Sequence, residues 1–172
     1  AQPSPCLPGF YAPNSTTIEC LPCPAGYSCT REATIEPTIC PAGQWRDDST
    51  ENIYCHLCPE GRWSNVPGLK AETDCFLCPA GWVCGSEGST QDPTLDPNNL
   101  CREGYVCGNG TTSSLSRARP CPAGYYCGAG TTPETERNFP CEAGYFCPPG
   151  TALSNRRDNV CPQGFYCPAG TR

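Results

Sequence analysis

One spacing governs this chain: a cysteine, two residues, a glycine, and an aromatic one or two positions later. The unit opens at Cys6, Cys23, Cys40, Cys58, Cys78, Cys101, Cys121, Cys141 and Cys161. Its glycines are Gly9, Gly26, Gly43, Gly61, Gly81, Gly104, Gly124, Gly144 and Gly164, and its aromatics Phe10, Tyr27, Trp45, Trp63, Trp82, Tyr105, Tyr125, Tyr145 and Phe165. Such recurrence means one structural unit stacked on copies of itself, so the chain is read repeat by repeat.

Two forms share that opening. In one, a long loop runs to a second cysteine three residues before the next unit, as at Cys20, Cys55 and Cys75. In the other, an inner cysteine follows six after the first, at Cys29, Cys84, Cys107, Cys127, Cys147 and Cys167. Residues 1–100 mix the two forms in irregular modules that start at Cys6, Cys23, Cys40, Cys58 and Cys78. Residues 101–172 carry only the second, at a constant period of 20.

Composition fits a cross-linked scaffold. Of 172 residues, 18 are Cys, 21 Pro and 18 Gly, which leaves too little aliphatic material for an ordinary core. Bridges must supply the missing stability, at about 3 kcal/mol for a loop of about 15 residues in the chain-entropy model. Thiols in this number, and even in count, point to a secreted or cell-surface protein. The net charge of −6 has no basic stripe, which argues against nucleic acid as a partner. No apolar run approaches the roughly 20 residues of a membrane span. The start, Ala1-Gln2-Pro3-Ser4-Pro5, lacks the regions of a signal peptide, and the end, Cys167 to Arg172, stops in mid-pattern. We therefore expect a fragment of a longer chain.

The motif has a local physical reading. Bridging Cys121 to Cys127 needs Cα atoms about 5.5 Å apart, so the five residues between them must reverse direction. Gly124 supplies positive φ there, and Pro122 fixes φ near the start. A second glycine follows at Gly110, Gly130, Gly150 and Gly170. The predicted fold is a series of small disulfide-rich repeats, with short β-strands and turns stacked into an elongated array and almost no helix. The aromatics cover the bridges, and each repeat contacts mainly its neighbours. Nearest-partner pairing uses all eighteen cysteines, and overlapping pairs such as Cys101 with Cys121 and Cys107 with Cys127 also close.

The run Cys6-Leu7-Pro8-Gly9-Phe10-Tyr11, continued by Cys20-Leu21-Pro22-Cys23-Pro24-Ala25-Gly26-Tyr27, resembles the GCC2/GCC3 repeat, the ephrin-receptor-like cysteine-rich module. It is also similar to the first half of tumour-necrosis-factor-receptor repeats. Cys121-Pro122-Ala123-Gly124-Tyr125-Tyr126-Cys127 and its successors at Cys141 and Cys161 look like the arrays of protist and algal surface proteins, among them mastigoneme-like proteins. The strict period from Cys101 departs from the receptor pattern, and Cys101-Arg102 and Cys141-Glu142 lack the proline after cysteine. The resemblance implies an extracellular structural glycoprotein of a filament, flagellar hair or coat, which associates with itself or with other extracellular structural proteins. The alternative it implies is a receptor or adhesin ectodomain that binds a protein ligand.

Catalytic, metal and cofactor readings are weaker. Cys55, Cys58, Cys75 and Cys78 have the spacing of a zinc ribbon, but zinc explains four cysteines and disulfides explain all. Cys20-Leu21-Pro22-Cys23 lacks the setting of a redox dithiol. His56 is the only histidine, with no recognisable triad. Asp92, Asp96, Asn98 and Asn99 are interrupted by prolines and fit no calcium loop. No enzyme activity and no cofactor are expected. Asn14-Ser15-Thr16 and Asn109-Gly110-Thr111 are N-glycosylation sequons. Thr16-Thr17, Thr111-Thr112, Thr131-Thr132 and Pro148-Pro149 are compositional candidates for O-linked sugar.

Overall fold

The computed structural model describes residues 4–172, so that Ala1, Gln2 and Pro3 of the leading segment lie outside it. Among the described residues there is no α-helix, and the helical content is three 3-10 turns, Glu72–Asp74, Pro93–Leu95 and Pro97–Asn99. Every strand has two residues. β1 (Phe10–Tyr11) pairs antiparallel with β2 (Leu21–Pro22), β3 (Tyr27–Ser28) with β4 (Thr38–Ile39), and β5 (Gln44–Trp45) with β6 (His56–Leu57). β7 (Arg62–Trp63) pairs with β8 (Phe76–Leu77). From Cys78 onward the pairing shrinks to single bridges, Trp82 with Leu100, Tyr105 with Pro120, Tyr125 with Pro140 and Tyr145 with Val160. In each, the aromatic meets the residue just before the next opening cysteine.

The turn preceding each aromatic follows from its sequence. In the Cys121 repeat, Tyr125 N–H donates to the Pro122 carbonyl at 3.2 Å, with Gly124 at φ +85° between them. Proline at the start and positive φ at the third residue suit a tight turn that only glycine enters without strain.

All eighteen cysteines are bridged, in the nearest-partner set. Three bridges span long loops, Cys6–Cys20, Cys40–Cys55 and Cys58–Cys75. Six span six residues, Cys23–Cys29, Cys78–Cys84, Cys101–Cys107, Cys121–Cys127, Cys141–Cys147 and Cys161–Cys167.

Packing divides the chain into two compact units: one runs to Phe76 and includes Glu87–Asp92, and the other comprises Leu77–Ser86 and Pro93–Arg172. The sequence division at residue 101 is one of repeat spacing and does not coincide with this division by packing. In both units sulfur is the core. The largest fully buried side chains are cysteines and Arg46, while most aromatics stay half-exposed against them. Trp45 packs on Leu69 and the Cys58–Cys75 bridge, and Tyr125 on Val106 and the Cys121–Cys127 bridge. A thin disulfide layer covered by rings is what a chain poor in aliphatic residues can build.

Consecutive repeats are joined by backbone. Cys121 N–H donates to Gly104 O at 2.8 Å, Gly104 N–H to Cys127 O at 3.0 Å, Cys107 N–H to Thr131 O at 3.0 Å, and Gly130 N–H to Cys101 O at 2.8 Å. The same four bonds recur one period later, with Cys141, Gly124, Cys147, Cys127, Thr151, Gly150 and Cys121 in the corresponding places. The threonine after each second glycine is a buried post: Thr111, Thr131 and Thr151 turn their hydroxyls inward to the carbonyls of Gly108, Gly128 and Pro148.

Besides the neighbour contacts that the sequence leads one to expect, repeats two apart also touch within each unit. A Cβ on Gly104 would lie 2.7 Å from the carbonyl oxygen of Gly150, and one on Gly81 would lie 2.6 Å from that of Gly130. The Ser154 hydroxyl donates to Glu103 Oε1 at 2.7 Å across the same interval. A glycine without a side chain lets backbone come this close to backbone.

Candidate functional site

The sequence marks two N-glycosylation sequons, and their settings differ. Asn14 is exposed, and its Oδ1 accepts from Thr16 N–H at 3.1 Å and from the Thr16 hydroxyl at 2.7 Å. That local turn is of the kind asparagine favours. Asn109 is also exposed, but its Oδ1 accepts from Ala80 N–H, 2.8 Å away in the preceding repeat. Its partners in the sequon are fixed to that repeat as well: Gly110 N–H donates to Cys78 O at 2.7 Å, and Cys84 N–H to Thr111 O at 2.9 Å. In both sequons the amide nitrogen, the atom a sugar would join, is distinct from the oxygen that accepts these hydrogen bonds.

The O-linked candidates divide. Thr111 and Thr131 are 7% and 8% exposed with their hydroxyls bonded to backbone, so the reading of these two as sugar acceptors is corrected. Pro148 and Pro149 are exposed, as is Thr16, while Thr112 Oγ1 lies 2.9 Å from Ser114 Oγ.

The residues with metal or redox spacing are spoken for. Cys55, Cys58, Cys75 and Cys78 belong to three separate bridges, to Cys40, within the Cys58–Cys75 pair, and to Cys84. Cys20 and Cys23 are bridged to different partners, Cys6 and Cys29. Among the described residues no cluster of three His, Cys, Asp or Glu side chains is placed to hold a metal ion. Asp96 caps the 3-10 turn Pro97–Asn99 by accepting from Asn98 N–H at 2.9 Å. His56 lies against Trp45 with ring centroids 5.2 Å apart. Thiol titration of the intact protein in denaturant is expected to find no reactive thiol. Four or more thiols, released together with bound metal, would overturn the disulfide reading.

A surface of rings and charges runs over the Cys121 and Cys141 repeats. Tyr126 stacks on Phe139 at 5.6 Å, and the Arg156 guanidinium sits 5.7 Å from the Tyr126 centroid. Glu142 accepts from Arg157 Nε at 2.8 Å and Arg156 Nε at 3.1 Å. These bonds, that from Arg157 foremost, hold its carboxyl below the usual carboxylate range. A depressed carboxylate stabilises the fold above its unfolded pKa, and this contribution is lost as pH falls through the folded one. Phe165 and Tyr166 in the Cys161 repeat are 76% and 88% exposed.

No protein-family model matches the chain, and no curated protein does. What the structure states about setting comes from its sulfur: nine intramolecular disulfides are typical of extracellular proteins. Among the described residues no helix is long and apolar enough to cross a membrane.

The residue that sequence reading missed is Arg46. It stands where most repeats carry an inner cysteine or a small residue, is fully buried, and donates to five carbonyls, those of Cys23, Pro24, Tyr27, Ser49 and Asn52. Its Nη1 reaches Cys23 O at 3.3 Å, in the place that a second-glycine N–H fills in other repeats. The role is structural, a side chain standing in for absent backbone donors.

Proposed function

We propose that the chain is an extracellular structural glycoprotein, a run of stacked cysteine-rich repeats that contributes to a filament, flagellar hair or surface coat. The observation that carries this reading is the repeated set of four backbone bonds between consecutive regular repeats. A repeat that presents to its successor the same groups it takes from its predecessor suits a protein whose task is length and coverage. The resemblance of the sequence to GCC2/GCC3 arrays of protist and algal surface proteins points the same way, with self-association or contact with other extracellular structural proteins as the mode of assembly. Catalysis has no part in this reading.

The exposed rings of Phe139, Phe165 and Tyr166 support a second reading, a receptor or adhesin ectodomain that docks a protein ligand. Electron microscopy of the native particle separates the two. Filaments or a lattice with lateral self-contact are expected, and isolated particles that bind one soluble partner would favour the receptor. Peptide mass spectrometry of protein from its native source is expected to find glycan at Asn14 and Asn109. Both sites bare would remove the glycoprotein part of the proposal.

A further inference from the structure

The two sequons are equivalent as motifs and unequal as substrates. N-glycosylation joins the asparagine Nδ2 to the anomeric carbon of a sugar carried on a lipid diphosphate. The bond from that carbon to the diphosphate oxygen breaks, the diphosphate leaves with the electron pair, and the amide gives up one proton. A transferase must hold the asparagine amide and the hydroxyl two residues on in one pocket, so a short stretch of chain around the sequon has to leave the protein surface.

At Asn14 nothing resists this. Asn14, Ser15 and Thr16 are all exposed, and the bonds Asn14 makes run only to Thr16 and Thr17. At Asn109 the whole tripeptide is tied down. The Asn109 Oδ1 holds Ala80 N–H, Gly110 N–H holds Cys78 O, and Thr111 O holds Cys84 N–H. Thr111 is 7% exposed, with its hydroxyl turned inward to Gly108 O at 2.8 Å. The bridges Cys78–Cys84 and Cys101–Cys107 close the two repeats on either side of this seam. Presenting Asn109 and Thr111 together therefore requires the two repeats to separate, an opening that a protein with intact bridges visits rarely.

We infer that Asn109 accepts sugar only on the unfolded chain, before the Cys78 and Cys101 repeats dock, whereas Asn14 remains an acceptor in the folded protein. This rests on the glycoprotein reading for its biological weight, although the chemistry stands apart from it. Once attached, the Asn109 sugar leaves Oδ1 free to keep its bond to Ala80 N–H, so the modified side chain fits the folded seam. The equivalent positions in later repeats are Ala129, Pro149 and Ala169, so this seam alone can be marked in this way.

The test uses the full chain, made without glycans, oxidised and folded. It is incubated with microsomal oligosaccharyltransferase and a lipid-linked oligosaccharide, beside the same chain reduced and alkylated, and each site is followed by peptide mass spectrometry. The reduced chain should be modified at both asparagines. The folded chain should be modified at Asn14 and, at Asn109, at a rate lower by about tenfold or more, since several hydrogen bonds of about 1 kcal/mol each must open together. Equal rates at the two sites of the folded chain would overturn the inference, as would a reduced chain that refuses sugar at Asn109 or a folded chain that refuses it at Asn14. Native protein bare at both sites, with this contrast intact, would sink the glycoprotein reading alone.

Discussion

Replacing Arg46 by alanine is expected to destabilise the first compact unit by about 3 kcal/mol or more, because it opens a cavity and takes the donors from a set of carbonyls at once. The guanidinium is fully buried and spreads its donors over the carbonyls of Cys23, Pro24 and Tyr27 in one repeat and of Ser49 and Asn52 in its own loop. Burial pushes its pKa down while Asp47 and Asp48 push it up, and a guanidinium starts high enough to stay charged throughout. Alanine would leave a cavity and take the donor from five carbonyls, that of Cys23 buried and the other four partly buried, and a buried acceptor left unpaired costs about 1–3 kcal/mol. Arg46→Lys keeps the charge but loses the fork, and it should recover only part of the stability. Arg46→Met, which fills the space without donors, separates packing from hydrogen bonding. Urea denaturation with the bridges intact measures all three. Loss of less than about 1 kcal/mol in Arg46→Ala would mean that water replaces the guanidinium and that the network is dispensable.

Gly104→Ala is expected to cost about 3 kcal/mol or more, and Gly144→Ala only about 1–2 kcal/mol, the usual cost of a left-handed backbone for an L-residue. The two glycines occupy the same turn, at φ +82° and +86°. They differ in what stands above them. A Cβ on Gly104 would meet Gly150 O at 2.7 Å and the Ala152 side chain at 3.5 Å, whereas a Cβ on Gly144 meets nothing within 4 Å. The obstructing atom is backbone, so it moves only if the repeat two places on moves with it, and overpacking of this kind costs about 1–3 kcal/mol beyond the backbone term. Amide exchange should report this directly, with the Gly150 N–H, which donates to Cys121 O, losing protection in Gly104→Ala and keeping it in Gly144→Ala. Equal losses would show that the contact between repeats two apart carries no energy.

The parts of this structure legible in the sequence are those fixed by a few adjacent residues. A cysteine six residues from another can bridge it only through a reversal, and the glycine between them marks where, so turn, bridge and strand of each repeat follow from spacing. Contacts between repeats do not. The second glycine was visible from Cys101 onward because it keeps a constant distance from the inner cysteine, yet Ala33, Gly68 and Gly88 fill the same place earlier, one residue further along. Their N–H groups donate to Cys6, Cys40 and Cys58, and even Ala33 takes a positive φ of 52°. Arg46 was illegible because an arginine followed by Asp47 and Asp48 reads as solvated surface, and only the tertiary placement of five carbonyls around it gives it a partner. The threonines carried a signal that was misassigned. The pairs Gly110-Thr111, Gly130-Thr131, Gly150-Thr151 and Gly170-Thr171 keep the period of the cysteines, which marks an internal post more than a sugar acceptor. Both sequons were found, but their difference lies in hydrogen bonds to the preceding repeat, which no motif encodes.

The two bridge patterns also set how far each repeat could yield to a pull. In the repeats of Cys6, Cys40 and Cys58 the bridge joins cysteines 14, 15 and 17 positions apart, and the next opening cysteine follows three positions on. Once its hydrogen bonds part, such a repeat can release only about 10 Å of chain at about 3.4 Å per residue, because the bridge carries the load past the loop. In the regular repeats the bridge spans six positions of a 20-residue period, which leaves about 50 Å of unbridged chain per repeat when fully extended. Short-tether and long-tether repeats thus alternate at the start of the chain, where the Cys23–Cys29 bridge stands between two long loops, and only the long-tether kind remains from Cys78 onward, each repeat still registered by its own covalent clasp.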